Sequence, residues 1–267
     1  MENEGYHKFS VGLLWGGVPD LETKITRDKA KKLLSGGGIF LRNCYSFNFS
    51  EETQFWYLVK DSFGGMEELS SNTRNQIRKS LKTYYVRKIT NEELLKQGFE
   101  AYRLSYLNYG YKSLPSHESF SNFIKLCSSD IYEFWGVFYV KTENMVGFAI
   151  NFIIGNYCNY QTLKCIPEHQ KNYAYYSLIY EMNKYYLADR KLRYVCDGAR
   201  SITSHSGIQP FLEQKFKFKK MYCSMNVYYK SWFGTLIKIL FPFRKLIKHP
   251  KVSAILRQEA WARGLER

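Results

Sequence analysis

The sequence predicts an α/β fold in which helices flank a mixed, largely antiparallel central sheet. Three observations predict it. The chain has 267 residues, 45% of them hydrophobic, which is enough for one large domain or for one domain with a small companion. Three consecutive strand-like runs are separated by short turns, which is typical of an antiparallel meander. Helix-like and strand-like segments then alternate, as they do when helices cover a mixed sheet.

Residues 1–83 predict a small N-terminal α/β extension. Asp28–Leu34 has the pattern of a short helix, and the glycines at 36–38 are expected to end it. Strand-like runs follow at Ile39–Phe47 and Gln54–Lys60. The extension therefore contains both kinds of element before the longer pattern begins.

A basic helix is predicted at the end of this extension. Ser70–Asn72 offers capping side chains for a helix that runs to about Thr83. Its cations, three of them four residues apart on one face, are Arg74, Arg78, Lys79 and Lys82. This stripe is interpreted either as a solvated helix face or as a surface that contacts the phosphates of a nucleic acid or another anion.

Residues 84–230 predict the main domain. In chain order we expect strand Tyr85–Thr90, helix Asn91–Asn108, helix Ser119–Cys127, strands Tyr132–Val140, Met145–Ile154 and Tyr157–Ile166, helix Lys171–Leu187, strand Arg193–Cys196, helix Gly207–Lys215 and strand Lys219–Tyr229. Asn91 is the expected cap of its helix, and the turns of the meander fall at Asn144 and at Gly155-Asn156.

Residues 231–267 predict a basic, amphipathic helical tail. Thirteen Lys and Arg and two acids lie between Lys215 and Arg267, in a chain whose formal net charge is +15. Bulky apolar residues alternate with cations over 231–247, and Pro242 should break or kink that helix. The segment either packs back onto the N-terminal part or lies on an anionic membrane surface as a peripheral contact.

Composition excludes several other classes. The six cysteines form no C-x-x-C pair and several lie in apolar runs, so we expect reduced core residues in a cytoplasmic protein without a disulfide framework. The five histidines have no metal-ligand spacing, and no metal is expected. The first residues are acidic and lack the apolar core of a secretory signal, and no stretch of 18 apolar residues predicts a transmembrane helix.

The segment Cys165–Ile179 carries a resemblance to a known family. It reads CIPEHQKNYAYYSLI, in which Pro167, Glu168 and Gln170 resemble the strand-to-helix junction of the GNAT superfamily of acyl-CoA N-acyltransferases. In that family a Pro-Glu precedes a Gln or Arg, and the pattern Q/R-x-x-G-x-G/A opens the helix. The resemblance implies a GNAT-like fold and an acyl-CoA donor such as acetyl-CoA, whose pyrophosphate is bound by backbone N–H groups at a helix N-terminus.

This chain departs from the family pattern at two positions. Tyr173 and Tyr175 stand where the family has small residues, and a tyrosine at either position could fill the space of the pyrophosphate. The donor-binding positions that the resemblance implies, at the fourth strand of this fold and at the following helix, are Leu163, Lys164, Cys165, Gln170, Lys171, Asn172, Tyr173, Ala174 and Tyr175.

Two further segments extend the resemblance. Leu212–Phe218 is similar to the F-x-x-K-F-G-F pattern that closes the family's fourth helix, with Lys217 in place of the glycine. Glu67–Leu81 and Asp197-Gly198 resemble Fem-type relatives, which use GNAT folds to move amino acids from aminoacyl-tRNA onto cell-wall precursors. This second resemblance implies that residues 1–83 are part of another GNAT-like unit.

Candidate catalytic residues come from the ends of strands and from one loop. Asp197 ends the fifth strand, Glu133 begins the second, and His205 lies in a Ser/Thr-rich loop. Each can accept a proton from an attacking amine, and each has a structural interpretation as a turn, strand-end or surface residue. The tyrosine that serves as a general acid in many family members has no bearer, since Phe211 and Leu212 stand at the nearest positions.

Together these patterns predict an acyltransferase of GNAT-like fold that transfers an acyl group to a small-molecule or peptide amine. Acyl-CoA is the donor that the family implies. Two alternatives remain open: transfer of an aminoacyl group from tRNA, and a non-catalytic module whose basic surface binds nucleic acid or an anionic membrane.

Overall fold

A computed structural model describes residues 5–109, 113–202 and 207–265. The chain forms two compact units. Unit 1 comprises Met1–Leu58, Ala199–Ser204 and Lys220–Arg267, and unit 2 comprises Val59–Gly198 and His205–Lys219. The division into residues 1–83, 84–230 and 231–267 stays a prediction.

Strands and helices are numbered in chain order over the described residues. The strands are β1 Tyr6–Phe9, β2 Gly12–Trp15, β3 Phe40–Tyr45, β4 Phe55–Lys60, β5 Tyr84–Ile89, β6 Tyr132–Tyr139, β7 Met145–Ile154, β8 Tyr157–Cys165, β9 Tyr194–Ala199 and β10 Lys219–Tyr229. The α-helices are α1 Arg27–Ser35, α2 Ser71–Thr83, α3 Asn91–Gln97, α4 Phe99–Ser105, α5 His117–Lys125, α6 Pro167–Lys171, α7 Ala174–Asn183, α8 Ile208–Phe216, α9 Ser231–Leu240 and α10 Pro250–Ala262. Single 3-10 turns lie at Pro19–Leu21, Tyr106–Tyr109 and Phe241–Phe243, and a π-helical turn lies at Lys184–Asp189.

In unit 1 the strands follow the order β1-β2-β3-β10-β4. β1 and β2 form an antiparallel hairpin, β2 pairs with β3 in parallel, and β3 pairs with β10 antiparallel. The side chain of Thr26 caps α1 by accepting a hydrogen bond from the Lys29 amide. The apolar face of α1 packs on the sheet through Leu33 and Leu34, which contact the cluster around Leu13.

A buried carboxyl lies in the core of unit 1. Oε1 of Glu22 accepts hydrogen bonds from the Tyr6 hydroxyl at 2.9 Å, the Asn43 side-chain amide at 3.1 Å and the Cys44 backbone amide at 2.9 Å. Burial raises the pKa of Glu22 to about 7, and the hydrogen bonds oppose that rise. Oε2 has no partner among the described residues, so the second oxygen is a natural place for the proton.

In unit 2 the strands follow the order β9-β8-β7-β6-β5. β6 to β8 form the predicted antiparallel meander, β5 pairs antiparallel with β6, and β9 lies parallel to β8. Helices α3, α4 and α5 cover a core that includes Leu94, Phe120, Ile124 and Phe148. The predicted fold class is confirmed: the structure is a mixed α/β fold with a largely antiparallel sheet and flanking helices.

Two predicted helices are interrupted in the structure. The predicted helix Asn91–Asn108 is two helices, because α3 ends at a C-cap formed by Gly98. The cap at its start is also different, since the Thr90 side chain, and not Asn91, accepts from the Glu93 amide. The predicted helix Lys171–Leu187 begins three residues later, because Tyr173 adopts a left-handed backbone conformation, and it ends in the π-helical turn.

The structure also bears on three expected absences. All six cysteines are free and buried. Within 5–109, 113–202 and 207–265, no three His, Cys, Asp or Glu side chains come together as a metal site would require. In the same residues no helix is both long enough and apolar enough to cross a bilayer.

Candidate active site in unit 2

β8 and β9 run side by side over three residue pairs and then separate. The paired residues are Tyr157 with Tyr194, Cys158 with Val195 and Asn159 with Cys196. Tyr160 and Asp197 come next and are the first residues beyond the last pair. We call this opening the β8/β9 split and define it by Tyr160, Gln161 and Asp197.

An extra residue in β8 coincides with the split. In the ladder between β7 and β8, Ile150 pairs with Thr162 and Asn151 with Tyr160, which leaves Gln161 without a counterpart on β7. Such a β-bulge bends the strand and redirects its backbone groups. The bulge and the end of the β8/β9 ladder therefore fall at the same point of the sheet.

Asp197 brings a carboxyl to the split. Burial raises the pKa of Asp197 from 3.8 to about 8, and a hydrogen bond from the Gln209 side chain on α8 opposes that rise. Directly after it, Gly198 has a φ of 83°, a backbone conformation that residues with side chains rarely adopt. A carboxyl that is neutral at pH 7 and ionises near pH 8 is suited to taking up and releasing a proton during a reaction.

Tyr160 lines the same opening but is anchored elsewhere. Its hydroxyl donates to Oδ1 of Asn183 on α7 at 2.9 Å, and both residues are buried. Burial, followed by smaller effects of neighbouring groups that include Asp197, raises the pKa of Tyr160 well above its usual range. Its proton is therefore retained at any working pH, and Tyr160 acts as a fixed wall beside Asp197.

Glu133 lies in a separate charged network. Its carboxylate accepts from the Tyr186 hydroxyl at 2.9 Å and forms ion pairs with Arg190 at 2.7 Å and Lys88 at 3.1 Å. Two cations and a hydroxyl contact this carboxylate, which favours a role in positioning neighbouring side chains. Glu133 therefore contacts Lys88, Tyr186 and Arg190 rather than Asp197, and His205 lies outside the described residues.

The loop between β8 and α7 differs from an open anion-binding loop. It contains the short helix α6, whose end uses the amides that follow it. The Asn172 amide donates to the Glu168 carbonyl at 3.2 Å, and the Tyr173 amide donates to the Gln170 carbonyl at 3.1 Å. The first turn of α7 is similar, since the Tyr176 amide donates to the Tyr173 carbonyl at 2.8 Å. These amides therefore already have acceptors within the protein.

Ser80 of α2 occupies the start of α7. Its hydroxyl oxygen accepts from the Ser177 amide at 3.2 Å and lies 2.8 Å from both the Tyr173 carbonyl and the Ser177 hydroxyl. Ser80, Ser177 and Ala174 are fully buried. A side chain of the protein thus occupies the helix N-terminus at which the family pattern places a pyrophosphate.

Aromatic rings fill the space between α7 and α8. The Tyr173 ring packs edge-on against Tyr176 at 5.5 Å, and Tyr176 contacts Phe211 at 5.0 Å and Phe216 at 5.9 Å. Tyr173 has a φ of 73°, which costs a non-glycine residue about 1–2 kcal/mol. The hydrogen bond with Ser80 and the ring contacts offset that cost.

The remaining donor-binding predictions fall into two groups. Leu163, Lys164 and Cys165 form the end of β8, where burial lowers the pKa of Lys164 and its amine lies 4.6 Å from the centre of the Tyr106 ring. The second group follows β8, in or after α6, and comprises Gln170, Lys171, Asn172, Tyr173, Ala174 and Tyr175. Gln170 accepts from the Asn108 amide at 2.8 Å. The amides of Asn172, Tyr173, Tyr176 and Ser177 have acceptors within the protein, and the donor-binding role of these positions stays a prediction.

A cavity of about 630 Å³ adjoins the α6–α7 loop. It is lined by aromatic and polar side chains that include Tyr84, Tyr139, Glu168, His169 and Asn172. The Tyr84 hydroxyl lies 3.0 Å from Nδ1 of His169. Burial raises the pKa of Tyr84 to about 12 and lowers that of His169, so both groups are neutral at pH 7. Asp197 does not line this cavity, which keeps it distinct from the split.

The basic stripe of α2 is partly exposed. Arg78, Lys79 and Lys82 lie on the surface, whereas the Arg74 guanidinium donates to the Leu69 carbonyl at 2.8 Å. The opposite face of α2, which carries Ser80, packs toward α7. The nucleic-acid interpretation of the stripe stays a prediction.

Sequence reasoning missed three features of this site: the Gln161 bulge, the Gln209 contact and the role of Ser80. Gln161 and Gln209 leave no signal in a single sequence, since a bulge depends on the partner strand. Ser80 left one, because a small polar residue follows Thr73 and Ile77 on the otherwise buried face of α2.

No family model matches the chain, and no curated protein matches it in sequence. Among solved structures, FemX is similar with a TM-score of 0.53 and 12% identity, over 86% of this chain and 73% of that chain. L-PGS from Bacillus licheniformis has a TM-score of 0.49 and 11% identity, over 88% and 83% of the two chains. The PaiA N-acetyltransferase from Thermoplasma acidophilum in complex with coenzyme A has a TM-score of 0.33 and 22% identity, over 41% and 75%. The likeness to FemX establishes a GNAT-like fold with Fem-type similarity.

Proposed function

We propose that this protein is an acyltransferase that transfers an aminoacyl group from an ester donor of the aminoacyl-tRNA type to an amine. The observation that carries the transfer chemistry is the β8/β9 split, where the Gln161 bulge and the carboxyl of Asp197 both lie just beyond the last residue pair of the ladder. An acyl transfer needs a group that moves a proton and backbone N–H groups that polarise the carbonyl, and the split offers candidates for both.

The proton balance follows from one carboxyl. The amine nitrogen forms a bond to the donor carbonyl carbon, and the bond from that carbon to the ester oxygen breaks. Asp197, ionised above pH 8, accepts the proton that the nitrogen loses and returns it to the leaving oxygen. Gln209 holds the carboxylate during the exchange through its side-chain N–H.

The preference for an ester donor over acyl-CoA rests on the start of α7. Coenzyme A would need acceptor-free amides for its pyrophosphate, and the amides of Asn172, Tyr173, Tyr176 and Ser177 are bonded within the protein. The rings of Tyr176, Phe211 and Phe216 also occupy the gap between α7 and α8. An RNA-linked ester places its phosphates elsewhere, and the exposed cations of α2 are the matching surface that we propose.

The experiment compares the two donors on the full-length protein. A tRNA pool charged with radiolabelled amino acids is incubated with a panel of small amines and lysine-containing peptides, and acid-stable amide products are counted. A parallel arm uses acetyl-CoA with the same acceptors, monitors release of the free thiol and measures binding heat. We expect amide product from charged tRNA, its loss in Asp197→Asn, and neither thiol release nor heat from acetyl-CoA.

Two results would contradict the proposal. Thiol release with saturable acetyl-CoA binding would make coenzyme A the donor. Absence of product in both arms, together with equal binding of charged and uncharged tRNA, would favour a non-catalytic module. Asp130→Asn is the matched control, because Asp130 is an exposed aspartate remote in sequence from the split.

A further inference from the structure

A stripe of large apolar side chains remains exposed on the C-terminal segment of unit 1. Its side chains, with their exposed fractions, are Trp232 (60%), Leu236 (40%), Ile239 (60%), Phe243 (56%) and Leu246 (76%). We call these five residues the apolar stripe. They are four, three, four and three residues apart, so the first three share one face of α9. A run of large exposed apolar side chains marks an interaction surface, whereas scattered ones do not.

The opposite face of α9 already packs within unit 1. Phe233, Ile237 and Phe241 are buried together with Leu256 and Ala260 of α10. Pro242 ends α9 as expected, and the chain continues as the 3-10 turn. Packing and surface contact, the two alternatives from the sequence, therefore apply to two different faces of the segment. The five side chains of the apolar stripe stay exposed, although the Trp232 ring also contacts Phe233 edge-on at 5.3 Å.

The charges around the stripe have one sign. Exposed lysines accompany it at Lys238, Lys245, Lys248 and Lys251. Between residues 231 and 258 the sequence contains no Asp or Glu. The surface thus combines an apolar strip, which includes an exposed tryptophan, with cations, as amphipathic segments at the membrane interface do.

The combination of apolar side chains and lysines distinguishes between three candidate binding partners: a second copy of the chain, a nucleic acid and a phospholipid bilayer. A second copy of the chain would bring the same lysines together with no acid in the segment to pair with them. A nucleic acid would pair with the lysines but leave five apolar side chains in water. We propose that the apolar stripe binds the surface of an anionic phospholipid bilayer, with its apolar side chains in the headgroup–acyl boundary and its lysines at the phosphates. The proposal does not depend on the transfer activity.

The test uses the full-length protein and vesicles of defined composition. Co-sedimentation with vesicles of phosphatidylcholine alone is compared with co-sedimentation with vesicles in which about a third of the lipid is anionic phosphatidylglycerol. We expect binding to the anionic vesicles that weakens as salt is raised. The emission of Trp232 should shift to the blue on binding, and Trp232→Phe should remove that shift while the protein still sediments.

Paired variants separate the apolar and the charged contributions. Ile239→Ser with Leu246→Ser should lower vesicle affinity by at least roughly tenfold, since each substitution removes an apolar side chain that enters the bilayer on binding. Lys245→Ala with Lys248→Ala should lower it about fivefold per lysine, at low salt. Leu126→Ser and Lys125→Ala are the controls, because both side chains are exposed in unit 2 and should leave binding unchanged.

Three outcomes would overturn the proposal. The first is sedimentation that does not depend on phosphatidylglycerol or is the same for all variants. The second is binding that survives the serine pair but is lost in the alanine pair and to competing tRNA, which would indicate a nucleic-acid surface. The third is a concentration-dependent dimer that the serine pair dissociates, which would make a second copy the occupant. Circular dichroism confirms that each variant is folded.

Discussion

Replacing Ser80 by alanine tests the arrangement at the start of α7. The substitution removes a fully buried hydroxyl that accepts from the Ser177 amide and hydrogen-bonds with the Tyr173 carbonyl. The Ser177 amide loses its Ser80 acceptor, whereas the Tyr173 carbonyl keeps its hydrogen bond from the Tyr176 amide. A buried group left without a partner costs about 1–3 kcal/mol, and relaxation of Tyr173 out of its left-handed conformation can return part of that cost. We therefore expect the free energy of unfolding to fall by roughly 1 kcal/mol.

The assay combines urea unfolding with hydrogen exchange. Unfolding is followed by circular dichroism for the wild type, Ser80→Ala and Ser71→Ala, an exposed serine on the same helix that should change stability by less than about 0.5 kcal/mol. In Ser80→Ala the Ser177 amide should lose its protection first, ahead of the middle of α7. A loss of stability no larger than that of the control, or unchanged exchange at Ser177, would refute the reasoning.

Two predictions concern buried carboxyls. Asp197→Asn should lower the rate of amide formation by about 10²- to 10⁴-fold. In the wild type that rate should rise with pH and level off above about 8, where Asp197 is ionised. An unaltered pH–rate profile in the variant would contradict the role of Asp197. For Glu22, the folded pKa of about 7 lies above the ordinary 4.5, so its contribution to stability is present below pH 4.5 and is lost as the pH rises through 7. This difference corresponds to roughly 3 kcal/mol, which Glu22→Gln should remove from the pH dependence of urea unfolding between pH 4.5 and 7.5, whereas the exposed control Glu51→Gln should retain it.

Much of the fold follows from local pattern. The strands β7 and β10 and the helix α2 have the predicted bounds, because alternation, capping side chains and turn residues all mark the same positions. The errors occur where two principles compete. Gly98 interrupts an otherwise continuous helical pattern, and the strands β1 and β2, at four residues each, are too short for alternation to reveal.

The candidate site was less accessible to sequence reasoning for a physical reason. Asp197 was identifiable because an acid before a glycine at a strand end is a local signal. Its raised pKa depends on burial, and its contact with Gln209 on α8 joins residues that sequence spacing does not relate. The split likewise depends on where the pairing of β8 and β9 ends, which is a property of two strands and not of either one.

One of the two tyrosines that depart from the family pattern has a structural explanation. Tyr173 stands at a position whose backbone is left-handed, which is a conformation that glycine adopts at little cost. In this chain the position keeps that conformation without glycine, because Ser80 binds the carbonyl of Tyr173 and Tyr176 packs on its ring. The substitution and the buried serine thus belong to one arrangement.

The positive charges of the chain fall into two groups, one assigned to bilayer binding and the other to binding of an RNA-linked donor. Thirteen of the 39 Lys and Arg lie between Lys215 and Arg267, and the lysines beside the apolar stripe are accounted for by an anionic bilayer. Those lysines therefore provide no support for an RNA-linked donor. That donor depends on the exposed cations of α2 and on the internally bonded amides before and within α7. Because different residues carry the two proposals, vesicle binding and aminoacyl transfer can each fail without affecting the other.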